Sequence, residues 1–287
     1  MSSSIVSVSN LKIKGKEAYP SVRSIPEEIP VALVYDGTTH AVMMATPENL
    51  EDFALGFSLT EGKIEKPSDI SSLEIVEQKN GIELRMWLSS EASHEAAVRR
   101  RALLGPTGCG LCGIESLEQA LPSLQYVSAE TKVSAIEVQA AVSSMAPAQL
   151  LNAQTRAMHA AGFWTFKQGL VALREDVGRH NALDKLFGAL SKDRINVDSG
   201  ILVLTSRISV ELVQKAATMG VPILAAVSAP TALALRTAES SGITLVGIAR
   251  DDGFEVFTHP HRILFEQTEI SHKKAKKKSG EHFYAIC

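Results

Sequence analysis

Two cysteines set three positions apart, Cys109 and Cys112, stand in the run Gly108-Cys109-Gly110-Leu111-Cys112-Gly113. Glycine on either side keeps bulk away from the sulfurs and opens backbone conformations closed to other residues, so such a loop can enter a partner's active site. A helix is expected from about Ile114 to Leu121, and its N-terminus would present N–H groups and a positive dipole end. Together with Arg99, Arg100 and Arg101, it would favour thiolate and lower the thiol pKa from about 8.5. A thiolate is the species that attacks a persulfide or disulfide sulfur. Two other chemistries stay open. A structural zinc site commonly needs four ligands, and the remaining cysteine is Cys287, so histidines or a second subunit would have to contribute. A thioredoxin-like redox pair usually opens a helix within a βαβ unit, whereas this pair lies outside the βαβ stretch.

A second polar segment runs Arg174-Glu175-Asp176-Val177-Gly178-Arg179-His180-Asn181 and on to Asp184 and Lys185. It sits where a strand turns into a helix. That position aims Arg179 and His180 toward a ligand phosphate or a polar ring. Equally, the segment reads as a salt-bridged helix start capped by Asp176. Two more candidates are Thr205-Ser206-Arg207-Ile208-Ser209 and Ile248-Ala249-Arg250-Asp251-Asp252-Gly253. Both fall at the carboxyl ends of expected parallel strands, where open α/β sheets collect ligands. In the second, the backbone groups, Arg250 and the carboxylates of Asp251 and Asp252 suit a purine edge, since carboxylates accept from the N–H donors of guanine. The plain alternatives are a connecting loop and a surface turn. His159 is a lone histidine in an apolar setting, and packing is its default role. Neither a dinucleotide G-x-G-x-x-G nor a P-loop occurs.

The elements that must position these residues divide the chain. Residues 31–45 read as two strands joined by a tight turn at Asp36-Gly37. A helix follows, with Thr46 as its cap, Pro47 in its first turn, Leu50, Phe53, Ala54 and Phe57 on one face, and Gly62 as its stop. A second hairpin turns at Asn80-Gly81, and a helix is expected over 91–104. The first two dozen residues read as an irregular lead-in. Ser134 and Glu137 form a capping box for a helix to about Met145. Residues 159–173 make a strand pair, and a helix carries Ala182, Leu183, Leu186, Phe187 and Leu190 as its apolar stripe. Apolar strands then alternate with helices, the pattern of a parallel sheet covered on both faces, before a last strand FEVFTH. The expected class is α/β with an α+β N-terminal part. A smaller α+β domain spans 1–125 and carries the cysteine loop near its end, a larger three-layer α/β/α domain spans 126–268, and a basic tail spans 269–287.

Composition closes off several classes. Hydrophobic residues at 45% and charged residues at 21% of 287 are ordinary for a globular protein. A formal net charge of -3 gives no reason to expect nucleic-acid or membrane binding. No apolar run reaches the roughly 20 residues that span a bilayer. The start, MSSSIVSVSN, lacks signal-peptide features, so a cytoplasmic location is expected, where few cysteines form structural bridges.

Taken together, these segments resemble the formate dehydrogenase accessory sulfurtransferases, the FdhD family. Three blocks carry the resemblance: Glu51-Asp52-Phe53-Ala54-Leu55-Gly56-Phe57 with Thr60-Glu61-Gly62, the glycine-flanked cysteine loop, and the eleven residues from Glu175 through Lys185. It covers roughly residues 25 to 265. The resemblance implies a sulfur carrier that takes persulfide sulfur from a cysteine desulfurase. It passes that sulfur to the molybdenum or tungsten bis-molybdopterin guanine dinucleotide cofactor on its way to formate dehydrogenase. Cys109 corresponds to the persulfide-bearing position, Cys112 to the second thiol, and residues 248–253 to the cofactor-contacting segment. A guanine nucleotide is the expected mimic of the cofactor, and its two guanine groups suit a two-fold homodimer. The larger domain is implied to be cytidine-deaminase-like. Two departures stand out: Thr155-Arg156-Ala157-Met158 precedes His159 where members more often show Thr-Gly-Gly, and Asp251-Asp252-Gly253 lacks the basic residue that members often carry near its end. Deaminase chemistry is disfavoured because Ala161 stands where H-x-E would place its glutamate. The competing functions are a zinc- or cofactor-binding chaperone and a dithiol oxidoreductase.

Overall fold

A computed structural model describes residues 3–91 and 124–265. The cysteine loop with Cys109 and Cys112, the helix expected over 114–121, nearly all of that expected over 91–104, and the basic tail with Cys287 lie outside those residues. The first two dozen residues correct the expected irregular lead-in. They form an antiparallel ribbon of β1 (Ile5–Lys14) and β2 (Glu17–Pro26). Neither strand has a buried residue, so no one-sided alternation marks it in the sequence.

The first layered unit is a four-stranded sheet, β3 (Ile29–Tyr35), β4 (Thr38–Ala45), β5 (Ile70–Gln78) and β6 (Gly81–Leu88), in the order β4-β3-β6-β5. The β3–β4 turn takes positive φ at Asp36 (47°) and Gly37 (76°), as the hairpin reading required. Val31, Leu33, Ile82, Leu84 and Met86 face α1 (Leu50–Thr60), which buries Phe53, Ala54 and Phe57 against them. Thr46 does not cap this helix. The N-cap is Asn49, in the left-handed region at φ 53°, and the Thr46 hydroxyl instead accepts from the Val177 N–H at 3.2 Å.

Beyond the cysteine segment, β7 (Val133–Ser134) leads into α2 (Ala135–Ser143) through the expected capping box of Ser134 and Glu137. Short helices α3 (Met145–Ala148) and α4 (Leu150–Thr155) follow. The main sheet holds β8 (His159–Thr165), β9 (Gly169–Asp176), β10 (Gly200–Leu204), β11 (Ile223–Ala226), β12 (Thr244–Arg250) and β13 (Gly253–Val256), in the order β13-β12-β11-β10-β8-β9. The three strands read as parallel, β10, β11 and β12, do run parallel, and the sheet as a whole is mixed because β8 inserts antiparallel beside β10 and β13 closes the other edge antiparallel. One face packs Leu202, Leu204, Leu224 and Leu245 under α5 (Arg179–Lys192), α6 (Val210–Met219) and α7 (Ala232–Ser240). The other packs Ile201, Val203, Ile223 and Val246 under Val138, Ala141 and Met145, so helices cover both faces. A short β14 (Ile263–Leu264) pairs with β7. Beside it the buried Arg262 donates to the carbonyls of Ala129 (3.0 Å) and Gly242 (2.8 Å), pinning the chain where it leaves the cysteine segment. Among the described residues no helix is long and apolar enough to cross a membrane.

Candidate functional site

The two units meet where α1 crosses α5. Gly56 faces the Asp184 carbonyl and Gly188 faces the Asp52 carbonyl so closely that an added Cβ would sit 1.7 Å and 1.9 Å from those oxygens. Charged groups fasten the same seam. Lys185, fully buried, pairs with Asp176 at 2.6 Å and donates to the Thr46 carbonyl at 2.9 Å. Burial lowers its pKa, and the Asp176 carboxylate opposes the drop. Asn181 donates to the Met44 carbonyl at 2.8 Å, and Arg174 holds Asp52 at 2.7 Å. On α6, Lys215 reaches Asp184 at 2.9 Å and Glu61 at 2.8 Å. Burial works against that ammonium, but the two carboxylates outweigh it and raise its pKa.

The polar block from Arg174 to Lys185 thus divides by role. Arg174, Asp176, Asn181, Asp184 and Lys185 tie elements together, and Glu175 accepts from the N–H groups of Leu151 and Asn152 at the start of α4. Asp176 is not the helix cap; Gly178 is. Breaking one buried partner leaves the other charge uncompensated. Lys185→Met is therefore expected to lower stability by about 3–5 kcal/mol, read as a fall in the urea midpoint; an unchanged midpoint would contradict the fastening role.

Arg179 and His180 stand apart from this seam, at the N-terminus of α5, on one rim of the main sheet. The carboxyl ends of β9, β10, β11 and β12 and the start of β8 all lie there, and the loops bond to one another. His159 pairs in register with Asp176, and Thr205 exchanges hydrogen bonds with Ala160. Ile208 bonds Ala229 and Thr231, and the Ile248 N–H donates to the Ser228 carbonyl at 3.2 Å. The structure therefore gathers His159, residues 174–181, 205–209 and 248–253 on a single edge. Within the last segment Ala249 is buried, Arg250, Asp251 and Asp252 are exposed, and Ile248 takes φ 52° at a bulge. A β-branched residue in that region costs of order 1–3 kcal/mol, the strain that accumulates at ligand clamps.

Charge on the rim follows from burial. His180 is pushed down to about 4 by burial first and then by the nearby Arg179 and Lys215 cations, so it is neutral at pH 7. His159 is lowered the same way, by burial and Arg179. An unfolded chain takes up the His180 proton near pH 6.5, so between pH 4 and 6.5 the unfolded state binds more protons and stability rises with pH. His180→Gln is expected to flatten that rise by up to about 3 kcal/mol, measured by urea unfolding across the interval; parallel curves would contradict the assignment. Among the described residues no group of three or more His, Cys, Asp or Glu side chains is placed to hold a metal ion. Sequence reasoning missed Glu211, which reads as an ordinary first-turn carboxylate of α6 but lies 3.9 Å from His180 Nε2.

Fold and rim together define an α/β protein whose strand-end loops gather at one end of its main sheet. The chain belongs to the FdhD/NarQ family, whose model matches residues 26–264. It is 52% identical over 245 residues to the sulfur carrier protein FdhD of Agrobacterium fabrum, covering 84% of this chain and 90% of that one. It is 46% identical over 256 residues to the sulfur carrier protein FdhD of Bordetella petrii, covering 88% and 92%. A crystal structure from Desulfotalea psychrophila, described as a formate dehydrogenase accessory protein, superposes with a TM-score of 0.69 at 25% identity, over 91% of this chain and 99% of that one.

Proposed function

We propose that the protein is a sulfur carrier in the maturation of formate dehydrogenase, working in the cytoplasm as a two-fold dimer. It takes sulfur from a cysteine desulfurase and gives it to the molybdenum or tungsten bis-molybdopterin guanine dinucleotide cofactor. One observation carries the reading: the family match spans the glycine-flanked Cys109 and Cys112 together with the whole strand-end rim. The relatives' names, sulfur carrier protein FdhD, support it.

The steps balance as thiol chemistry. The Cys109 thiolate attacks the outer sulfur of the donor's persulfide; the donor S–S bond breaks, a Cys109 S–S bond forms, and the donor cysteine leaves as thiolate. The Cys112 thiolate then attacks Cys109 Sγ, closing a disulfide and releasing the outer sulfur as sulfide to the cofactor. The two electrons of that reduction come from the two cysteines, and a cellular thiol reduces the disulfide afterwards. The rim suits the cofactor's polar rings because Arg179, the neutral His180 and the backbone of residues 248–253 all lie at the same end of the main sheet, and the cytidine-deaminase-type layering is the frame we propose for it.

Incubating the purified protein with a cysteine desulfurase and sulfur-35-labelled cysteine tests the reading. Label retained on the protein and released by dithiothreitol is expected. Absence of label, together with one tightly bound zinc per chain or per dimer, would replace the carrier with a metal-binding chaperone.

A further inference from the structure

Residues opposite one another in an antiparallel pair share a face, and the register of the β1–β2 ribbon sorts its two faces by charge. One face sets Leu11 opposite Pro20, Ile13 opposite Ala18 and Val22 opposite Ser9, and none of its residues is charged. All the charged residues of the two strands, Lys12, Lys14, Glu17 and Arg23, stand on the other face. Ser7 and Ser9 on one side and Val6 and Val8 on the other blur the alternation along β1, so the sorting shows only once the strands are paired. The uncharged face is open to water: Leu11 is 61% exposed, Ile13 68% and Val22 69%. Arg23, on the charged face, ties the ribbon to the body by donating to the Thr155 carbonyl at the end of α4 at 3.0 Å. A two-stranded ribbon is at best marginally stable alone, and a contiguous exposed apolar patch marks an interaction surface.

Charge, shape and size together select what covers this face. Without charge it offers an acidic or basic partner nothing to pair with. Stacked β faces lie about 10 Å apart with their side chains interleaved, so an uncharged ribbon face is complementary to another copy of itself, as a two-fold contact requires. Addition of a strand at the edge is less suited, because Pro20 and Pro26 in β2 lack the N–H that a ladder needs. Each strand has 10 residues, which gives a face about 34 Å long and 10 Å wide. Two such faces stacked would remove on the order of 1,000 Å² from water, the least that a specific interface buries and well short of an obligate one. The contact is therefore of the size that forms and dissociates with concentration.

We infer that the uncharged face of the β1–β2 ribbon stacks on the same face of a second copy of this chain, across a two-fold axis. The inference rests on the dimer proposed above and gives it a contact surface; residues 5–25 of the ribbon precede the residues 26–264 that the family model matches. Sedimentation equilibrium of the full chain across micromolar concentrations tests it. The wild-type protein is expected to dimerise reversibly. Ile13→Glu and Val22→Glu each place an unpaired carboxylate in the stacked face and should raise the dissociation constant by about 100-fold or more. Both side chains are exposed in the single chain, so the melting temperature at monomeric dilution should not move. Lys12→Gln, on the opposite face, should keep the wild-type constant. Amide exchange over residues 5–25 should slow by about 10-fold or more as concentration rises through that constant. A dimer that both glutamate variants leave intact, or protection that rises only outside the ribbon, would overturn the inference and leave the two-fold dimer on another surface. A wild-type chain that stays monomeric throughout would remove the dimer and the ribbon contact together, while retention of labelled sulfur still judges the carrier role by itself.

Discussion

Gly56→Leu is expected to yield no folded protein, and Gly56→Ala or Gly188→Ala to cost about 4 kcal/mol or more. The reason is backbone against backbone. A Cβ at Gly56 would lie 1.7 Å from the Asp184 carbonyl oxygen, and one at Gly188 would lie 1.9 Å from that of Asp52. Neither oxygen can swing aside as a flexible side chain would. The helices cannot simply separate either: Lys185 with Asp176 and Lys215 with Asp184 and Glu61 hold α1, α5 and α6 in one arrangement. Chemical denaturation of the soluble variants reads the loss. A Gly56→Ala protein with the wild-type midpoint would mean that the two helices do not cross this closely.

Cys109→Ala is expected to reduce formate dehydrogenase activity by roughly 100-fold or more in cells that depend on this chain, the scale on which removing a nucleophile acts. Expression and melting temperature should stay near wild type, and both are measured alongside as controls. Cys112→Ala should leave more activity than Cys109→Ala, because an outside thiol can replace the attack that releases the sulfur. Equal activity in Cys109→Ala and wild type would remove the nucleophile from the scheme.

How far the sequence could be read depended on whether one face of an element is buried. Residues 31–45 and the helix bearing Phe53 and Phe57 were legible because their apolar positions line one core. The β1–β2 ribbon was not, because both its faces meet solvent and no alternation survives. The antiparallel insertion of β8 beside β10 leaves no local mark either, since pairing between strands distant in sequence is set by the sheet as a whole. Thr46-Pro47 looked like a helix start by its residue types; tertiary contacts claimed the threonine for Val177 instead. In the polar block, residue type alone left binding and salt-bridging equally open. Only burial separates Lys185 and Asp176, which fasten the seam, from Arg179 and His180 on the rim. A signal for the seam was nevertheless present: a glycine inside an otherwise strong helix, as at Gly188, costs about 1 kcal/mol against alanine and usually marks a close approach. For Glu211 no such signal exists, because a carboxylate in a first helical turn is ordinary.

The central claim is that one sulfur atom of this chain carries another, and peptide-level mass spectrometry after loading by a cysteine desulfurase with cysteine tests it most directly. The account predicts one added sulfur, removable by reductant, on the peptide containing Cys109, and none in the Cys109→Ala protein. An unmodified Cys109 peptide from a protein loaded under conditions that charge the desulfurase itself would contradict it.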